Sequence, residues 1–187
     1  MGITIIVLVV LGLIVVGVVV YAISIYNGLI QLKNNIKKSW ANIDVLLKQR
    51  ADELPKIINS VKGYMAHEQG TLDKLTQART QFLNATTVGE KAQADAAMSG
   101  ALKSLFAVAE NYPNLKANEN FLQLQNRISG IENEIADRRE FYNDSVNNYN
   151  IRIQSIPDMF FARPMGFSPE EMFKVAEQDR KDVEVKF

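Results

Sequence analysis

The sequence has 187 residues with 21 basic and 21 acidic side chains, one histidine and no cysteine. The charges cancel, so no overall field draws the chain to nucleic acid, and no nucleic-acid partner is expected. The lack of cysteine excludes disulfides, thiolate nucleophiles, cysteine zinc sites and anchoring through a lipidated cysteine.

From Ile3 to Ile23 the run ITIIVLVVLGLIVVGVVVYAI carries no charge. As a helix rising 1.5 Å per residue it reaches roughly 30 Å, the thickness of the hydrocarbon core of a bilayer. Valine and isoleucine favour helix poorly in water, but a spanning segment must satisfy its backbone internally, so the bilayer enforces a helix. A cleaved leader would show a basic start, a shorter apolar stretch and a small-residue cleavage site, and a retained anchor is expected instead. Residues 1–26 are therefore assigned as a transmembrane anchor, with Ile3, Leu8, Leu13, Val18 and Ile23 in lipid and Tyr21 and Tyr26 in an interfacial belt. Lys33, Lys37 and Lys38, with Lys48 and Arg50 behind them and only Asp44 opposing, form a topology signal. It predicts a single pass with the N-terminus outside and the C-terminal domain in the cytoplasm.

Beyond the anchor, apolar residues fall at Leu29, Leu32, Ile36, Trp40, Ile43, Leu47, Ala51, Leu54, Ile58, Val61 and Met65, in steps of three and four. No Gly or Pro interrupts Leu29 to Leu54, so the membrane helix is predicted to continue into the first bundle helix, with a kink at Pro55. After HEQGT the stripe resumes at Leu72, Leu75, Ala78 and Phe82, as a new helix capped near Thr71 or as the first one continuing. Thr87 with Glu90 three residues later reads as a capping box. The helix it opens carries Ala97, Leu102, Leu105, Val108, Ala109 and Tyr112 until Pro113 and Asn114 stop it. The last long stripe is Phe121, Leu124, Ile128, Ile131, Ile135, Tyr142, Val146, Tyr149, Ile153 and Ile156. Arg138 stands in its missing slot and is expected to pair with a facing carboxylate or reach the bundle surface. Pro157 ends the run. Ser168-Pro169-Glu170-Glu171 has the form of a capping box opening a short helix, and Val183, Val185 and Phe187 that of an extended tail.

The fold class expected is all-α: an N-terminal transmembrane helix continuing into an elongated antiparallel up-and-down helical bundle. Residues 27–157 form the long-helix bundle, and residues 158–187 a C-terminal loop, short helix and extended tail. The predicted core sets Leu32, Ile36, Trp40, Ile43, Leu47, Leu54, Ile58 and Val61 against Phe121, Leu124, Ile128, Ile131, Ile135, Tyr142, Val146 and Tyr149.

Catalytic patterns are missing. His67-Glu68 begins a zinc-protease signature, but Thr71 occupies the place of its second histidine. Glu132 and Glu134 point to different faces of their helix and make no carboxylate pair. No phosphate-binding glycine motif occurs, and no serine or threonine has a base in a recognisable arrangement. No catalytic residue, cofactor or metal site is expected, and the chain reads as a non-enzyme.

The segment from Tyr26 to Arg79, YNGLIQLKNNIKKSWANIDVLLKQRADELPKIINSVKGYMAHEQGTLDKLTQAR, resembles the LemA family, as does AENYPNLKANENFLQLQNRISGIENEIADRREFYNDSVNNYN from Ala109 to Asn150. The Pro157 region, Gly166-Phe167 with Phe173, and the closing Val183-Glu184-Val185-Lys186-Phe187 match as well. The resemblance implies a bacterial membrane protein with a mostly helical, antiparallel domain and no established enzymatic activity; with the single-pass topology above, the expected location is the bacterial inner membrane. It also implies accessory or scaffolding roles, some in the genomic company of membrane proteases and one group tied to magnetosome membranes. The expected function is a membrane-anchored scaffold or adaptor working through self-association or partner binding on coiled helix faces. Its expected partners are the lipid bilayer, further copies of the chain, and a membrane protein such as a membrane protease. The alternative is a lipid-binding or membrane-remodelling protein, using Gly12 and Gly17 or the apolar Met159-Phe160-Phe161.

Overall fold

The computed structural model describes residues 1–65 and 67–174 of the chain. Among the described residues six helices follow one another: α1 Gly2–Val61, α2 Gln69–Asn84, α3 Val88–Ala109, α4 Pro113–Lys116, α5 Glu119–Gln154 and α6 Asp158–Ala162. Among the described residues there is no strand, and the fold is all-α with a long apolar N-terminal helix.

The first helix runs without a break through 60 residues, including Pro55. Proline has no N–H to give the carbonyl four residues earlier, which here belongs to Ala51, a fully buried residue. Arg79 of α2 donates its Nε–H to that carbonyl at 3.0 Å. The loss inside one helix is thus made good by a neighbour, and the helix has no reason to end at Pro55.

The shorter elements follow local chemistry. Thr87 and Glu90 form the capping box of α3: the Thr87 hydroxyl accepts from the Glu90 N–H, and the Glu90 carboxylate accepts from the Thr87 and Thr86 N–H groups. Pro113 opens α4 at a first-turn position where its missing N–H costs nothing. Asn118 then caps α5, its Oδ1 accepting from the Phe121 N–H at 3.1 Å. The string YPNLKANENF is therefore two helix starts in succession, with Leu115 and Phe121 buried beneath them.

Several expectations need correcting. α2 begins at Gln69 after Glu68, not at a cap near Thr71, and Glu68 makes no side-chain capping bond. The third helix ends at Ala109, before Tyr112. Residues 167–174 are not helical, so Ser168 opens no helix; among the described residues the last helix is α6, which lies earlier in the chain. Ala97 and Ile156 are exposed instead of joining their stripes. The tail residues Val183, Val185 and Phe187 lie outside the described residues.

The chain divides into two compact units, one of Met1–Ser39 with Asp144–Glu170 and one of Trp40–Asn143 with the described residues from Glu171 onward. Helices α1 and α5 contribute residues to both units. In the first unit Ile25, Leu29 and Ile36 of α1 are buried, with Val146, Tyr149, Ile153 and Ala162. In the second, Ile43, Leu47, Leu54, Ile57 and Val61 are buried, with Met98, Leu102, Leu105, Phe121, Ile128, Ile135 and Tyr142. Trp40 of α1 packs on Tyr142 of α5, and Glu53 further along α1 pairs with Arg127 earlier in α5. The two helices of this unit are therefore antiparallel.

Candidate functional site

In the first unit a compact site is built around the end of the uncharged run of α1. Tyr21 meets Phe161 edge to face with ring centroids 6.1 Å apart, and Tyr26 meets Phe167 in the same way at 5.7 Å. Quadrupoles favour this T-shaped arrangement over a flat sandwich. Gly28 leaves room for the Arg152 guanidinium of α5: a Cβ there would lie 2.7 Å from Nη2 of Arg152. The same guanidinium donates through Nε to Asp158 at 2.7 Å, which ties the end of α5 to the start of α6. After α6 the Gly166 N–H bonds to the Arg163 carbonyl and the Phe167 N–H to the Ala162 carbonyl. This is a Schellman-type turn, and Gly166, at φ 78°, occupies the left-handed position it requires.

The extended residues that follow are held by side chains. Tyr149 donates its hydroxyl to the Ser168 carbonyl at 3.0 Å. Asn150 donates to the Glu170 carbonyl and accepts from the Glu170 N–H, both at 2.9 Å. Lys33 of α1 pairs with the Glu170 carboxylate at 3.0 Å, and that hydrogen bond raises the Lys33 pKa above its ordinary value. Burial raises the Tyr149 hydroxyl above the usual phenol range.

The second unit uses the same Tyr-Asn pair once more. Tyr142 donates to the Glu171 carbonyl at 2.8 Å, while Asn143 donates to the Phe173 carbonyl and accepts from the Phe173 N–H.

The second unit also holds buried charge. Arg50 donates to the Asp95 carboxylate, to the Asp95 carbonyl at 3.1 Å and to Ser99 Oγ at 2.9 Å. Arg139 reaches the other Asp95 oxygen at 3.4 Å and lies over the Phe173 ring. The Arg50 and Asp95 side chains are 1% and 2% exposed, so neither charge is hydrated. Burial pushes the Asp95 carboxyl above the usual range against the opposing pull of Arg50 and Arg139, and burial likewise lowers Arg139. Nearby, Glu53 is 4% exposed and pairs through Oε1 with Arg127 at 3.1 Å and Lys56 at 3.0 Å. Among the described residues, Arg50 Nε and Glu53 Oε2 are buried without a hydrogen-bond partner. Breaking a buried pair from one side strands an uncompensated charge, so these contacts resist any repacking that separates the partners.

The LemA family matches this chain over residues 39–187. The chain belongs to that family. Protein LemA of Metamycoplasma hominis is similar at 31% identity over 163 residues, which is 84% of this LemA-family chain and 73% of the relative. Magnetosome protein MamQ 2 of Paramagnetospirillum magneticum is similar at 22% over 175 residues, 80% of this chain and 64% of its own length. Magnetosome protein MamQ of Magnetospirillum gryphiswaldense is similar at 20% over 174 residues, 79% and 64% respectively. The chain thus spans less than two thirds of either magnetosome relative.

Of the anchor residues, Ile3, Leu8, Leu13, Val18, Ile23, Tyr21 and Tyr26 are exposed in the isolated chain, and the apolar window of α1 is long and apolar enough to cross a membrane. Lys37 and Lys38 are exposed, while Lys33 is engaged with Glu170. Of the core residues, Leu32, Trp40, Ile58 and Leu124 are half-buried and the other twelve are buried. His67 is exposed, and Glu68 accepts from Tyr112 at 3.1 Å. Arg138 reaches the surface beside Glu134, and it is Arg139, one residue on, that turns inward.

In the sequence Arg50 stands in the basic flank beyond the anchor, and no motif marks Asp95 or Glu53. A signal was present: Leu46, Arg50, Glu53 and Ile57 continue in steps of four, three and four, which places both charges in a row of apolar residues.

Proposed function

We propose that this LemA-family chain is a membrane-anchored, non-enzymatic helical scaffold that works by self-association or by holding a membrane-protein partner on its helix faces. The observation that carries the reading is the continuity of α1, which unites a bilayer-length uncharged run with the buried stripe of the bundle in one helix. A helix binds by shape along its length and needs no reacting group. The exposed lysines Lys37 and Lys38 beyond the run favour a cytoplasmic C-terminal side in a bacterial inner membrane.

In the second unit an open groove lined by Asn42, Val45, Leu46, Gln49, Glu134 and Arg138 offers a surface of the kind a partner helix fills. Val45 within it is 57% exposed. Photo-cross-linkers placed at Val45 and Arg138 in intact cells test the reading. Discrete adducts, of twice the chain mass for self-association or of one defined heavier species for a partner, are expected. A chain that forms no adduct at either position and stays monomeric in detergent overturns it. Protease protection in spheroplasts tests the sidedness separately, with protection of the C-terminal part expected.

A further inference from the structure

We propose that α6 and its flanks enter the phospholipid interface through Ile156, Phe160 and Met165, as a second membrane contact beside the run of α1; this rests on the membrane-anchor reading above. Depth is the first argument. Phe161 packs on Tyr21, which stands in the last turn of the uncharged run Ile3–Ile23, and Phe167 packs on Tyr26 little more than a turn further on. A bilayer thick enough to cover the run therefore reaches Tyr21, and with it the ring of Phe161.

Exposure is the second. Ile156, Phe160 and Met165 are 74%, 64% and 40% exposed, whereas Ala162 on the same short element is fully buried. A segment facing water would carry polar groups on that side. Phe161, next to Phe160 in α6, touches Tyr21 in the bare apolar run of α1, so what covers the run at this depth reaches α6.

Charge is the third. The carboxylates in this neighbourhood are occupied, Asp158 by Arg152 and Glu170 by Lys33. Among the described residues Arg163 is exposed and pairs with no carboxylate, so the charge left beside the apolar group is positive and suits a lipid phosphate. The segment is also ordered in advance by the Arg152–Asp158 pair and the turn at Gly166, so entering the interface fixes little that is not already fixed.

The chain has no cysteine, so one introduced thiol is a unique labelling site. The full chain carrying Phe160→Cys, labelled with an environment-sensitive fluorophore, is reconstituted into vesicles of equal parts phosphatidylcholine and phosphatidylglycerol. Nitroxide-bearing phosphatidylcholines report depth, with Leu11→Cys as the anchor control and Lys103→Cys as the water control. The label at position 160 is expected to emit further to the blue than the one at position 103 and to lose most of its intensity to a shallow nitroxide. The label at position 11 is quenched best by a deep nitroxide. If position 160 is as unquenched as position 103 while position 11 is quenched, the α6 contact is overturned and the anchor stands. A blue shift at position 160 without nitroxide quenching means burial against protein and also overturns it. If position 11 itself escapes quenching, the anchor reading falls and the α6 contact with it.

Discussion

Arg79 gives the carbonyl of Ala51 the hydrogen bond that Pro55 has no N–H to supply. The contact joins α2 to α1 at the one place where α1 is internally incomplete. Replacing Arg79 with Met leaves a buried acceptor without a donor, which costs about 1–3 kcal/mol. Pro55→Ala restores the donor within α1, so Arg79→Met in that background is expected to cost much less. Urea unfolding of the full chain in detergent, followed by circular dichroism, measures both. Equal losses in the two backgrounds would sink the explanation.

Asp95 stands between two guanidiniums, and its removal leaves Arg50 without its ion-pair partner and Arg139 with only the more distant Glu132. Asp95→Leu is expected to destabilise the second unit by about 3–5 kcal/mol, the typical penalty for breaking a buried pair from one side. Adding Arg50→Met removes the stranded charge and recovers most of that loss. A double variant whose loss equals the sum of the singles would show that the pair does not act as a unit.

The capping box makes an acid-dependent contribution. Backbone N–H groups of Thr87 and Thr86 hold the Glu90 carboxyl at about 2 against an ordinary 4.5. The folded-state value is depressed, so the stability it brings is present above pH 4.5 and is lost as pH falls toward 2. Glu90→Gln keeps a hydrogen-bonding side chain but does not titrate, so its unfolding midpoint should fall less steeply over that window. Thr87→Ala, which removes the other half of the box, costs about 1 kcal/mol at neutral pH. A Glu90→Gln profile parallel to that of the parent chain would contradict the assignment.

Trp40 is the only tryptophan and its ring centroid lies 6.0 Å from that of Phe173. Asn143 binds both backbone groups of Phe173. Asn143→Ala should therefore loosen Phe173 and shift Trp40 emission to the red. Asn143→Asp keeps the acceptor for the Phe173 N–H and loses the donor, so its emission should fall between the two. An unchanged spectrum for Asn143→Ala would mean that Phe173 is held by its other contacts, with Trp40 and Arg139.

The sequence made the helices legible where burial and capping agreed. The stripes through Leu29–Val61 and Phe121–Ile153 carry a helical period, and the Thr87–Glu90 box has a short-range cause that the surroundings did not override. It misled at Ser168, where a capping signature stands but no helix follows. The backbone groups of Ser168, Glu170, Glu171 and Phe173 are engaged by Tyr149, Asn150, Tyr142 and Asn143, and partners distant in sequence outcompeted a weak local preference. Arg138 and Arg139 show the limit of pattern reading at single-residue scale. Adjacent helical positions differ by about 100° in direction, so composition there does not say which guanidinium turns inward.

With no joint between its bilayer-length run and the buried face at Ile25, Leu29 and Ile36, α1 leaves no slack in which a change of length can be absorbed. One residue inserted there would swing that face by about 100°, away from Tyr149 and Ile153, whereas seven would return it to nearly its original bearing. Spacing along this stretch is therefore under the same constraint as the identity of the side chains, and variation in it should come in whole turns.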